Sequence, residues 1–132
     1  MSTIKKIAST TATAACLGAV ALTVGAGPAD ASNDDRIIKR GACSVASDWK
    51  LKVKTDDGRL EVEGEVDSNV NGQTWAWVFR DNGTVVARGT SVTIAPSGSF
   101  DVERKIPDLA GTDRVVFRAT HDGEVCRGAI AF

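Results

Sequence analysis

From Trp49 onward the chain alternates apolar and polar residues at a period of two. In Trp49–Lys54 the apolar Trp49, Leu51 and Val53 interleave with Lys50, Lys52 and Lys54, and in Leu60–Val66 the apolar positions interleave mainly with glutamates. This period marks a half-buried strand. Asp57-Gly58 between the two segments is a hairpin turn signal. With those two residues as the loop, Val53 faces Val62 and Trp49 faces Val66. Lys54 then meets Glu61, Lys52 meets Glu63 and Lys50 meets Glu65. Every pair is complementary, so the charges specify register on a solvated sheet face.

The stretch Thr74–Arg88 carries Trp75, Trp77 and Phe79 at alternate positions, turns at Asp81-Asn82-Gly83 and returns through Val85, Val86 and Ala87. A two-residue loop would set Phe79 opposite Val86 and Trp77 opposite Arg88. A three-residue loop, with Gly83 left-handed in a bulge, sets Phe79 opposite Val85, Trp77 opposite Ala87 and Trp75 opposite Gly89. The second keeps one face apolar and is the register expected. Val92 and Ile94 predict a brief edge strand, ended by Ala95-Pro96-Ser97-Gly98. Phe100, Val102 and Ile106 predict another strand, with Arg104 interrupting its apolar face. Val115, Phe117 and Ala119 pair across Asp122-Gly123 with Ile130, Gly128 and Cys126, which sets Arg118 against Arg127. Arg36–Cys43 predicts a short first strand. No segment shows a helical period. The expectation is an all-β, immunoglobulin-like antiparallel sandwich of about seven to nine short strands.

In this register Trp75, Trp77 and Phe79 are core, because a small sandwich needs large apolar residues there. The outward residues of the same hairpin, Ala76, Val78, Arg80, Val86 and Arg88, are less polar than the Lys/Glu ladder. They form the candidate binding face. If the three aromatics pointed outward instead, they would make a stacking platform for carbohydrate. Asp67–Gln73 matches the first half of a calcium loop, but its twelfth position is Val78 and no helix flanks it, so it reads as a turn. His121 is the only histidine and flanks a turn. No nucleophile motif, zinc cluster or phosphate-binding glycine loop is present. The residues therefore predict no catalytic site, no metal, no cofactor and no enzyme.

The N-terminus changes the picture of location. Lys5 and Lys6 precede an uncharged Ala8–Ala26 stretch, and Ala29-Asp30-Ala31 fits a signal-peptidase site. This predicts a signal peptide over residues 1–31, cleaved after Ala31, and a secreted, extracellular product. The sequence before Cys16 lacks the large aliphatic of a lipobox, so Cys16 leaves with the signal peptide. Residues 32–35 are expected to be a disordered tail and 36–132 a single domain of roughly 100 residues, whose core alone is marginal. Losing Lys5, Lys6 and Asp30 takes the formal net charge from −1 to −2. The charges alternate in sign along the chain, which argues against nucleic acid and membrane as partners and leaves an extracellular protein or glycan. Cys43 and Cys126 remain as an even pair and predict a disulfide closing a loop of about 84 residues. Free thiols or a metal pair are the alternatives.

With these segments in place a resemblance emerges. Leu60–Val66, Trp75–Arg80, Val85–Gly89, Phe100–Lys105, Val115–His121 and Val125–Phe132 resemble strands B, C, C′, E, F and G of an immunoglobulin-like or fibronectin-type-III-like domain. Trp75 or Trp77 would take the place of the buried strand-C tryptophan, and Asp108–Gly111 is similar to the E–F corner. The chain departs from antibody domains in lacking cysteines on strands B and F and any tyrosine. Its disulfide would join the region of strand A to the start of strand G. Across its length, through SDWKLKVKTDDGRLEVEGEVDSN, Gln73–Arg80 and APSGSFDVER, the chain also resembles small secreted proteins of actinobacteria such as Streptomyces. That resemblance implies fold and location and no activity. The function expected is a secreted, non-enzymatic binding or structural module. An inhibitor of an extracellular enzyme, presenting Ala95–Ser99, and a carbohydrate-binding module are the alternatives.

Overall fold

The computed structural model describes residues 35–132, and the predicted signal peptide lies outside them. Eight strands follow in order: β1 Arg36–Ala42, β2 Asp48–Asp56, β3 Arg59–Asp67, β4 Thr74–Asp81, β5 Thr84–Val92, β6 Ser99–Pro107, β7 Arg114–His121 and β8 Glu124–Ala131. Among the described residues there is no helix. Three of the four hairpins turn on two residues. Asp57-Gly58, Asn82-Gly83 and Asp122-Gly123 each have both φ values positive. That twist matches the strands it joins, and glycine adopts it without a steric penalty.

The strands form two antiparallel four-stranded sheets, β1-β2-β3-β6 and β5-β4-β7-β8. The second order is C′-C-F-G in the lettering above, and β3 lies beside β6 as B lies beside E. The apolar halves of the alternating strands meet between the sheets. Leu51, Val53, Leu60, Val62 and Val66 from one side pack with Trp75, Trp77, Phe79, Val115, Phe117 and Ile130 from the other. Phe79 lies 5.1 Å from Phe117 between ring centroids. The Cys43–Cys126 disulfide forms, with its Cα atoms 4.3 Å apart. It ties the segment after β1 to β8, across the two sheets. The Glu124 carboxylate holds the same segment by accepting hydrogen bonds from the Ala46 and Ser47 backbone N–H groups and the Ser47 hydroxyl.

The β2–β3 register is the expected one, pair for pair, as is β7–β8. The Lys/Glu face is more than a solvated ladder. Lys50 and Lys52 both reach Glu63 at 3.5 Å, and Lys54 reaches Glu61 at 3.8 Å. Glu61 is buried there. β6 adds acids opposite acids, Glu103 against Glu63 and Asp101 against Glu65. Contact with Glu61, burial, and the charges of Glu61 and Glu63 hold the Glu103 carboxyl above its usual range, despite Lys52.

The central hairpin differs from expectation. Its loop is the two-residue Asn82-Gly83, with Asp81 opposite Thr84, and the irregularity lies between Phe79 and Arg80 on β4, where Val86 is the extra residue of β5. Phe79 therefore faces Ala87, Trp77 faces Gly89 and Trp75 faces Ser91. Size explains the choice. A Cβ on Gly89 would lie 2.7 Å from the Trp77 ring, so that ring needs glycine opposite it. The shift also places Ser91 to accept the Trp77 indole N–H at 3.1 Å. Val92 and Ile94 form no separate strand. Val92 ends β5, and Ile94 makes one bridge to Ser99. Arg104, the apparent break in the apolar face of β6, lays its guanidinium 5.0 Å from the centre of the Trp77 ring. This cation–π contact covers the indole at the open side of the sandwich.

Candidate functional site

Inward and outward positions alternate on every strand of the second sheet, so its outer face can be read row by row. β4 presents Ala76, Val78 and Arg80, β7 presents Arg114, Val116, Arg118 and Thr120, and β8 presents Val125, Arg127 and Ala129. Beyond its bulge, β5 presents Arg88 and Thr90. Pairing then builds cross-strand rows. Arg88, Val78, Arg118 and Arg127 lie side by side, with Thr90, Ala76, Thr120 and Val125 in the row beside them. Five arginines stand on this face, and no strand position on it carries an acid.

An open groove of about 420 Å³ runs between the arginines, with Ala76 and Val78 as its low floor and Arg80, Arg88 and Arg118 as its walls. Thr90 and Thr120 supply hydroxyls at one end. Arg88, Arg118 and Arg127 are exposed and Arg80 is half-buried. Among the described residues, none of these four makes an ion pair. Arg88, Arg118 and Arg127 thus form a row of strongly hydrogen-bonding forks, with Arg80 in the row beside it.

Four of the five residues of the sequence-derived face, Ala76, Val78, Arg80 and Arg88, line this groove. Val86 does not, because the bulge turns it to pack against the core. Sequence reasoning missed Arg118 and Thr120 as partners of the β4 residues. It set Arg118 against Arg127 without joining the pair to the β4 face. Comparison of the chain with protein-family models, with curated proteins and with solved structures finds no match. The site is accordingly read from its own chemistry.

The other candidates fall elsewhere. Trp75, Trp77 and Phe79 are buried, so they form core and not a stacking platform. His121 stacks on Trp75 at 5.3 Å, and its Nδ1 lies 2.7 Å from the Thr74 carbonyl oxygen. In the Asp67–Gln73 loop, the Asp67 carboxylate accepts the Asn69 N–H, closing a turn. No group of three or more His, Cys, Asp or Glu among the described residues is arranged to hold a metal.

One pair of acids stands out at the opposite end of the sandwich. Asp81 and Asp113 are each only 1% exposed. Both Asp81 carboxylate oxygens are buried without a hydrogen-bond donor. Burial, a proton shared with the Asp113 carboxyl and the charges of Asp113 and Asp108 push the Asp81 carboxyl up from 3.8 to about 7. Asp113 in turn accepts the Leu109 N–H at 3.2 Å. The arrangement has the proton-sharing chemistry of a carboxylate dyad, but it is closed to solvent.

Proposed function

We propose that this protein is a secreted, non-enzymatic binding module whose recognition surface is the outer face of β5-β4-β7-β8. The carrying observation is the contrast between the two outer faces. On β2-β3 the charges neutralise one another in register. On the outer face of the second sheet all the charges have one sign, three of the arginines line a groove, and none makes an ion pair among the described residues. Like charges directly opposite each other are disfavoured; on the first sheet Glu63 and Glu65 face acids but also meet lysines, whereas Arg118 and Arg127 have no counter-charge among the described residues, so this face has the character of a surface that meets a ligand. The disulfide is consistent with the extracellular location that the predicted signal peptide implies. The sandwich supplies rigidity, and the role is argued from the face and not from the fold.

The test compares retention of the wild-type protein on extracellular and cell-surface material with that of an Arg88→Glu/Arg118→Glu variant. Retention lost in the variant, with its melting temperature kept, supports the reading. Equal retention sinks it.

A second reading, an inhibitor of an extracellular enzyme, is favoured by the 93–99 loop. Gly98 donates to the Ile94 carbonyl, and Ser68 donates to the Gly98 carbonyl through both its N–H and its hydroxyl. The Thr93 hydroxyl donates to the Val70 carbonyl at 2.6 Å. This locked support leaves Ile94 and Val70 exposed, as a rigid apolar tip. Slowing of an extracellular protease or glycosidase by the protein, relieved by Ile94→Asp, would favour this reading over the first.

A further inference from the structure

The arginine face also carries an inference about what it binds. This inference rests on the proposal that the face is a recognition surface. Strands lie about 4.8 Å apart in a sheet. Arg118 and Arg127 are directly opposite, and Arg88 lies two strands from Arg118. The row thus spans about 14 Å at its base, too far for one small anion to engage throughout. Its ligand carries several negative charges along an extended chain.

The surroundings narrow the class. β4 and β7 are paired on both sides, so their backbone groups are taken and an extended peptide cannot join them as a strand. The aromatic residues of the sheet, Trp75, Trp77, Phe79 and Phe117, all face the core, so no platform is present for stacking nucleic-acid bases. The groove instead offers the threonine hydroxyls of Thr90 and Thr120, a flat floor of small aliphatic side chains, and guanidinium forks that match carboxylates two hydrogen bonds at a time. Sugars present hydroxyls and apolar ring faces to such a surface. On the far side of the molecule, the lysines of the first sheet's outer face, Lys50, Lys52 and Lys54, are already paired with Glu61, Glu63 and Glu65, so that face offers the same ligand no row of unpaired cations. The charge distribution therefore also selects which face is used.

We propose that the groove between Arg80, Arg88 and Arg118, extended by Arg127, is a binding site for an acidic polysaccharide. Carboxylate or sulfate groups of successive sugars pair with the arginines, and the sugar rings lie over Ala76 and Val78.

The test is titration calorimetry of the purified protein with low-molecular-weight heparin and oligogalacturonate as acidic glycans. Dextran serves as a neutral glycan, and poly-glutamate and oligothymidylate as other polyanions. The expected result is binding of the two acidic glycans, weakened by added salt, with none to dextran. Arg118→Glu/Arg127→Glu should weaken that binding at least about tenfold, and Arg118→Gln/Arg127→Gln by less. Lys39→Glu on β1 should change it less than about twofold. Poly-glutamate or oligothymidylate binding as tightly as the glycans would overturn the polysaccharide assignment, as would glycan binding that ignores the double substitutions. If no acidic glycan binds, yet Arg88→Glu/Arg118→Glu still abolishes retention on extracellular material, this inference fails while the recognition face stands.

Discussion

Asp81→Asn should stabilise the protein at neutral and alkaline pH and leave it unchanged in acid. Asp81 is the last residue of β4, on the inward side with Phe79, and neither of its oxygens meets a donor. Its carboxyl keeps a proton in the folded state up to about pH 7, against 3.8 for the ordinary group. Between those values the folded state binds more protons than the unfolded state, so stability falls as pH rises. The loss begins as pH passes the unfolded value and is complete above the folded one. Each pH unit is worth about 1.36 kcal/mol, so about three units set an upper bound near 4 kcal/mol. The neighbouring turn at Asn82 is exposed. Screening and relaxation there reduce the expected effect to about 1–3 kcal/mol. The asparagine amide is nearly isosteric with the protonated acid and donates to Asp113 at every pH. Melting temperatures of the two proteins should coincide near pH 4 and diverge toward pH 8. For a domain of this size the gap should reach about 5–20 °C, with the variant higher. Titrating groups away from the Asp81–Asp113–Asp108 cluster cancel in the difference. A gap that does not change with pH, or a variant less stable at pH 8, would refute the reasoning.

Three further outcomes follow from the packing. Gly64→Ala and Gly128→Ala should each cost about 1–3 kcal/mol in urea unfolding, because a Cβ there would enter the rings of Phe117 and Trp49 respectively. Gly58→Ala meets no atom and should show only the smaller cost of a residue held at positive φ. Reducing Cys43–Cys126, which are 83 residues apart, should lower stability by about 4–5 kcal/mol on the chain-entropy account; an unchanged urea midpoint would contradict it. Trp75 and Trp77 are core and Trp49 is half-buried, so tryptophan emission should be blue-shifted and weakly quenched by acrylamide. Strong quenching with a red-shifted maximum would place the aromatics outside.

The readable and unreadable parts of this chain divide along a physical line. Local pairing was legible wherever two strands share a short turn and complementary sides. Lys50, Lys52 and Lys54 meet Glu65, Glu63 and Glu61 because a one-residue slip turns Leu51 and Val53 outward. The β4–β5 register was not legible, because a facing ring decides it. Trp77 needs the space that Gly89 leaves, and the hairpin admits a bulge to obtain it. Asp81 was read as part of the turn. Yet its parity with Trp77 and Phe79 already placed it inward once the loop is the two residues after it. The arginine row was hidden for a different reason. Arg80, Arg88, Arg118 and Arg127 sit on four strands, and only the order β5-β4-β7-β8 makes them neighbours. Alternating signs along the chain say nothing about which signs share a face.

The near-zero net charge conceals this sorting. A formal charge of −1 over the chain argues against a polyanion partner only if the charges are mixed over the surface. Here the fold sorts them. The outer face of β2-β3 pairs its lysines with its glutamates and is largely neutral to an approaching ligand. The β6 edge beside it is acidic at Asp101 and Glu103. The outer face of the second sheet is wholly cationic. At physiological salt a field decays within about 8 Å, so a bound chain senses the arginines beneath it and not the acids across the sandwich. Local sorting, and not the net charge, therefore sets the class of partner. It also explains why Arg118 opposite Arg127 is tolerable: the repulsion is small at an exposed site and would be relieved when an anion lies between the two guanidinium groups.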